Sequence, residues 1–198
     1  MPGATFKDID DSNYDTALRV LAESFHDDAV INWSCDNPDS LIPFFEITLP
    51  PFLPHGLSYL DSNGRGIAVW LGPKQKLKWE FSLKNIANVF KIGGPKVLYR
   101  MMRSALTTEK YHPKTPHYYL FAIGVVPQCK GQGLGTSLIR EVLKKCDEEG
   151  VPAYLENSKE ENLRFYQGHG FKVIREIKFA PSAPTLWLMW RDPVTPAV

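Results

Sequence analysis

The chain has 198 residues, is 43% hydrophobic and 12% aromatic, and sets 23 basic against 22 acidic side chains for a formal net charge of +1. That length and apolar content suit one compact domain with a sizeable core and exclude a disordered chain. The balanced charge gives no basic footprint for nucleic acid, and no polybasic cluster marks a membrane surface.

Thr5 to Ile9 has weak strand character. Asp11 or Ser12 is placed to cap a helix over about Tyr14 to Phe25, where Ala17, Leu18, Leu21, Ala22 and Phe25 share one face. A loop rich in Asp, Asn and Pro follows, then an apolar segment from Leu41 to Leu49 closed by Pro50-Pro51. Leu57–Leu60 and Gly66–Leu71 flank an Asn63-Gly64 turn and predict a β-hairpin. Residues 77–110 carry apolar positions at helical spacing, broken by Gly93-Gly94-Pro95 into two helices. Tyr118 to Val126 reads as a buried strand that Pro127 ends. After a glycine-rich turn, Leu134, Leu138, Ile139, Val142, Leu143 and Cys146 form the apolar stripe of a helix, and Gly150 fits the position just after it. Ala153–Glu156 is a short strand. Ser158-Lys159-Glu160-Glu161 has the spacing of a capping box, so a helix is expected from Lys159 to Gly168 or Gly170. Phe171–Phe179 and Thr185–Trp190 read as an antiparallel pair. The alternation through residues 118–179 implies an α/β fold.

The cysteines Cys35, Cys129 and Cys146 are odd in number and far apart, neither a disulfide framework nor a zinc spacing. They suit a reducing compartment. The polar, acidic start lacks a signal-peptide pattern, and no apolar run is long enough to span a bilayer. The expected location is cytoplasmic.

A strand that feeds a glycine-rich turn opening a helix is a place for phosphate. The first helical N–H groups lack partners and carry the positive end of the dipole, and glycine lets the backbone approach the anion. The turn Gln128-Cys129-Lys130-Gly131-Gln132-Gly133-Leu134-Gly135 lacks the Gly-Lys-Ser/Thr of a nucleoside triphosphate loop. Its G-x-G-x-G spacing also differs from the dinucleotide fingerprint. A plain strand-to-helix connection stays open on the turn alone.

Gln128-x-x-Gly131-x-Gly133 matches the Q/R-x-x-G-x-G/A signature of the GNAT superfamily of acyl-CoA N-acyltransferases. Ile123-Gly124-Val125-Val126-Pro127 resembles that family's fourth strand. Leu155-Glu156-Asn157-Ser158 and Asn162-x-x-Phe165-Tyr166-x-x-x-Gly170-Phe171 resemble its fifth strand and the helix after it. Within the family, His112-Pro113-Lys114-Thr115-Pro116 is similar to a segment of puromycin N-acetyltransferase and its relatives. The signature covers residues 111–175, and the rest matches in the order of its elements.

The resemblance implies a single domain over residues 1–198, a mixed α/β GNAT fold. Its central sheet would have six to seven mostly antiparallel strands with a splayed parallel central pair, flanked by helices. It implies acetyl-CoA as cosubstrate and no metal. The amides of Lys130, Gly131, Gln132, Gly133, Leu134, Gly135 and Thr136 would cradle the pyrophosphate. Backbone groups of Ile123 and Val125 would pair with pantetheine, and Asn162 would hydrogen-bond the pantetheine arm. Tyr166 would stand near the thioester sulfur as general acid. Asn162 and Tyr166 are four apart on one expected helix and so share a face.

An amine must lose a proton before it attacks. Glu156, at the C-terminal end of a central strand, is the first base candidate, with a structural carboxylate as its alternative reading. His112 and Asp28 are further base candidates. The family's acceptor site lies among its first helices, here about residues 13–50 and 77–110. That draws in Phe25-His26-Asp27-Asp28 and Trp33, with Phe44, Phe45 and Trp70 as walls; the alternative reading makes Phe25, Phe44 and Phe45 plain core and Asp27-Asp28 a solvated loop. Acidic and aromatic groups together suit a cationic small-molecule amine. The expected product is an N-acetylated primary amine formed in a ternary complex by a monomer or homodimer, with no nucleic-acid or membrane partner. A protein or peptide N-acetyltransferase and a non-catalytic acyl-CoA sensor are the alternatives.

Overall fold

The computed structural model describes residues 5–35, 38–77 and 82–194. The first strand, β1 (Phe6–Asp8), leads into helix α1 (Tyr14–Ser24), whose Ala17, Leu18, Val20 and Leu21 are buried. Asn13 holds the cap position of α1 and makes no side-chain cap bond. Ser12 cannot serve as the cap, because its hydroxyl and amide both donate to Asp10 Oδ1, at 2.6 and 2.8 Å. The loop expected after α1 contains a second helix, α2 (Ala29–Cys35). Its start is held by Asp28, whose Oδ1 accepts the amides of Val30 and Ile31 at 3.0 and 2.9 Å. Seven residues are too few for the apolar period to show.

The apolar segment before Pro50 is helix α3 (Leu41–Thr48). The hairpin forms as β2 (Ser58–Asp61) and β3 (Gly66–Leu71), antiparallel. Two helices follow, α4 (Leu83–Ile92) and α5 (Gly94–Tyr111); residues 78–81, the start of the expected helical stretch, lie outside the described residues. Gly93 breaks them at φ 145°, a conformation that side chains rarely adopt.

Strand β4 (Tyr118–Val125) then runs into the glycine turn and helix α6 (Leu134–Glu149), whose expected apolar stripe is buried throughout. Gly150 ends α6 in the left-handed region at φ 66°. Strand β5 (Ala153–Asn157) is followed by a 3-10 turn over Glu160–Asn162 and a short helix, α7 (Leu163–Gln167). The capping box does not form. The Ser158 hydroxyl donates across the molecule to Asp28 Oδ2, and Asn157 instead bridges Lys159, accepting from its amide and donating to its carbonyl. Strands β6 (Lys172–Ile177) and β7 (Leu186–Arg191) are antiparallel.

Among the described residues seven strands form one sheet in the order β1-β2-β3-β4-β5-β7-β6, in which only β4 and β5 run parallel. One face is covered by α6, with Leu138, Ile139 and Val142 against Leu120, Ala153 and Leu155. The other carries α1 and α3, with Leu21, Phe45 and Leu49 against Val69 and Ala122.

Candidate active site

The cleft starts from one extra residue. In the β3–β4 ladder Val69 faces Ala122 and Trp70 faces Leu120, so Phe121 has no partner and β4 bulges there. A bulge bends its strand and raises the local twist. On the other side, β4 pairs with β5 only from Tyr118 to Leu120, although β4 continues to Val125 and β5 to Asn157. The two strands part beyond Leu120, and a cleft of about 510 Å³ opens between them. Phe121 to Val125 line one wall and Leu155 to Lys159 the other. The β5-facing backbone of β4, including Ile123 and Val125, is left without a strand partner here.

At the end of β4 the glycine turn closes the cleft. Gly131 and Gly133 sit at φ 77° and 80°, the left-handed region that L side chains avoid, and a Cβ at either would meet nothing within 4 Å. The first bond of α6 runs from the Ser137 amide to the Gly133 carbonyl at 3.0 Å. The amides of Leu134, Gly135 and Thr136 therefore precede the helix ladder and have no partner within it. Lys130, Gly131, Gly133, Leu134, Gly135 and Thr136 all line the cleft. Gln132 does not; its side chain folds back to the Gln128 carbonyl at 3.2 Å. The turn thus presents partnerless helix-start amides to the cleft, the arrangement that suits an anion.

Asn162 and Tyr166 both line the cleft, brought there by the 3-10 turn and α7 and not by one continuous helix. Burial pushes the Tyr166 phenol well above its ordinary range, and the charge of Asp28 adds to the shift. Phe25 and Asp28 also line the cleft. Asp28 is 3% exposed, and both of its oxygens are engaged, one on the start of α2 and one on Ser158. Lys159 lies 2.5 Å from Asp27, so two polar contacts join the α1–α2 link to the end of β5.

Trp33 and Trp70 stand outside the cleft. Trp70 is fully buried in the core beneath α6, and Trp33 packs on Phe179 with Arg100 over its ring at 5.1 Å. Phe45 is core, in edge contact with Phe25 and Phe44. A strand's alternation puts Trp70 on the α6 face, which the apolar run of β3 does not reveal.

Glu156 lines the cleft and sits in an aromatic setting that the sequence does not announce. The Tyr119 hydroxyl donates to its Oε2 at 2.6 Å. Its Oε1 is buried with no hydrogen-bond partner, and His112 Nδ1 lies 3.6 Å away. His112 Nε2 in turn meets His117 Nε2 at 3.1 Å. Burial pushes both Tyr119 and Tyr154 far above the ordinary phenol range, with the Glu156 charge adding to it. The one available signal was register: Tyr119 is opposite Tyr154 in the parallel pair, and Glu156 lies two residues beyond on the same face.

Residues 100–171 match the Acetyltransferase (GNAT) family. The chain is 26% identical over 206 residues to an uncharacterized N-acetyltransferase of Schizosaccharomyces pombe, covering 96% of this chain and 83% of that protein. Among solved structures, the histone acetyltransferase HPA2 and related acetyltransferase from Corynebacterium glutamicum superposes with a TM-score of 0.66 at 20% identity, over 98% of both chains. Arylalkylamine N-acetyltransferase 2 from Aedes aegypti gives 0.65 at 15% identity, over 95% of this chain and 98% of that one. The fold is the GNAT fold, the matched segment is that of the Acetyltransferase (GNAT) family, and the chain is an acyltransferase.

Proposed function

We propose that the protein transfers the acetyl group of acetyl-CoA to a primary amine of a small molecule, by direct attack in a ternary complex. One observation carries this: a single cleft joins the amide cradle at Gly131–Thr136 to the buried carboxylate of Glu156. Acetyl-CoA fits the first half by its diphosphate, with the unpartnered edge of β4 at Ile123 and Val125 offering an extra-strand register to the pantetheine amides and Asn162 close by. It supplies an activated acyl carbonyl and a thiolate leaving group.

The chain's own residues then have three tasks. An alkylammonium has a pKa of about 10, so most of the acceptor arrives protonated, and Glu156 takes that proton directly or through water. The leaving thiolate has a pKa of roughly 8.5, so a phenol raised above 10 is a poor full donor, by roughly 2 kcal/mol or more. Tyr166 accordingly acts as a hydrogen-bond donor to the sulfur, holding the charge that develops there. Phe25 and Asp28 wall the acceptor side.

The contacts Asp27–Lys159 and Asp28–Ser158 close the rim between the α1–α2 link and β5, which favours a compact acceptor over a polypeptide. The His112–Pro116 segment, shared in pattern with puromycin N-acetyltransferase and relatives, points the same way. The two structural neighbours bear names from both acceptor classes. The test is thiol release from acetyl-CoA over a panel of alkyl and arylalkyl amines and of peptides. Amine-dependent release is expected, with Tyr166→Phe lowering kcat about 10- to 100-fold, the value of one hydrogen bond to a charged group. Acetylated peptide with no amine product assigns a protein substrate instead. Coenzyme A binding without turnover assigns a sensor.

A further inference from the structure

Exposed apolar side chains are unevenly spread over this molecule. Of the eleven large ones among the described residues, seven lie on α4 and α5. On α4, Leu83, Ile86 and Phe90 share one side, while Asn88 and Ile92 on the opposite side are buried. On α5, Leu98, Met102 and Leu106 recur every four residues, turned away from the buried Val97. These side chains protrude: Leu83 is 86% exposed, Phe90 67% and Leu106 70%. Each helix thus has two apolar sides, and the core uses one. The two outer stripes meet where the helices join. A Cβ on Gly94 would stand 3.9 Å from the Phe90 ring, and Leu98 lies one turn beyond Gly94. An apolar patch of this kind marks a contact surface.

Charge narrows what the contact can be. Residues Leu83 to Tyr111 hold six basic side chains and one acidic one, Glu109, although the whole chain carries only +1. Lys84 and Lys91 follow one margin of the α4 stripe, and Lys96, Arg103 and Lys110, each seven residues apart, follow one margin of the α5 stripe. Lys84 is paired with Glu46 at 3.2 Å, and Arg103 donates to the Phe179 carbonyl, a neutral acceptor. In the sequence these cations are spread from Lys84 to Lys110, so no polybasic cluster shows; helical repetition gathers them beside the apolar stripes. A second copy pressed on this same face would set cations against cations, which costs a symmetric dimer. An anionic occupant is complementary. A protein would have to offer a fitted hole to each protruding side chain. Fluid acyl chains take any shape, and long basic side chains at the margin can keep their heads among the phosphates.

We propose that the joined outer face of α4 and α5 is a docking surface for an anionic lipid bilayer. Leu83, Phe90, Met102 and Leu106 enter the boundary between headgroups and acyl chains, and the flanking lysines and Arg103 meet lipid phosphates. The two helices, 10 and 18 residues long, lie in the plane of the interface.

The test is sedimentation of the full chain with vesicles of phosphatidylcholine alone and with vesicles containing about one third phosphatidylserine. Binding to the anionic vesicles should be roughly 10-fold or more tighter, and most of that advantage should vanish in about 0.5 M salt. Phe90→Gln combined with Leu106→Gln should weaken it at least roughly 10-fold, through lost apolar burial. Lys91→Gln should weaken it roughly 5-fold, the worth of one cation at such a surface. Hydroxyl-radical footprinting of the wild type should show Tyr99 and Met102 protected by anionic vesicles and Ile174 of β6 unchanged. The footprint needs no variant, so it decides the matter where a substitution lowers the melting temperature. Equal binding to both vesicle types overturns the proposal, as does protection confined to residues off α4 and α5. A concentration-dependent dimer that the Phe90→Gln, Leu106→Gln pair dissolves gives the face to a second copy and overturns it too. A soluble acidic amphipathic peptide that binds as tightly as the anionic vesicles and protects the same residues gives it to a protein, with the same result.

Discussion

At Gly133 the backbone requirement and the chemistry coincide. Its φ of 80° penalises any side chain, yet the space around it is open, so a substitution there strains the turn without a clash. Gly133→Asp adds roughly 1 kcal/mol of strain and a carboxylate at the amide cradle. At about 4 Å and an effective dielectric near 20, two like unit charges repel by about 4 kcal/mol. Calorimetry should therefore show coenzyme A affinity falling on the order of 100- to 1,000-fold in a protein that still melts cooperatively. Retained affinity would place the diphosphate elsewhere. This turn was legible in the sequence because positive φ leaves a chemical mark, glycine. The surroundings of Glu156 were not: Tyr119 lies 37 positions away, and periodicity names the face a residue occupies but not its neighbour across the sheet.

Among elements, β4 carries the site, and its position depends on a close approach to α1. A Cβ on Gly124 would stand 2.5 Å from the Ser24 Cβ and 3.2 Å from the Phe25 ring. Gly124→Val should therefore destabilise the fold by about 1–3 kcal/mol, the usual cost of overpacking, and push α1 with Phe25 away from the cleft. Thermal melting reads the first effect and the acceptor KM the second; an unchanged melting temperature would show that α1 yields freely. The long elements could be read from their patterns, because a sustained apolar period averages over local exceptions, as α6 shows. The short ones could not. Helix α2 begins at Asp28, and the expected cap of α7 fails because the Ser158 hydroxyl is drawn to that same Asp28. One carboxylate thus decides the local structure of two segments 130 residues apart in sequence.

Over the whole molecule, Arg191 ties three elements together. It is 6% exposed, grips Asp147 of α6 with two bonds of 2.7 and 2.8 Å, and donates through Nε to the His169 carbonyl ahead of β6. The Arg191 hydrogen bonds, helped by the Val194 amide and the Arg191 charge, hold the Asp147 carboxyl below the usual range against the opposing effect of burial. Burial would raise Asp61, but the Arg65 guanidinium and the Arg65 and Asn63 amides outweigh it and hold that group low too. A depressed folded pKa gives stability that is complete above the unfolded value of about 3.9 and lost as pH falls through the folded value. The urea midpoint should therefore be insensitive to these two groups from pH 7 to about 5 and fall below about 4, and Asp147→Asn should flatten that acid limb. An acid limb as steep in Asp147→Asn as in wild type would remove the pair from the account. The strand order has a further consequence, for the sequence of assembly. β7 lies between β5 and β6, so any amino-terminal fragment stopping short of Leu186 leaves β5 a bare edge. A chain emerging vectorially completes its glycine turn early but gains a braced wall on the Glu156 side only after β7 threads home; under the proposed function, coenzyme A capture would then precede catalytic competence during biogenesis.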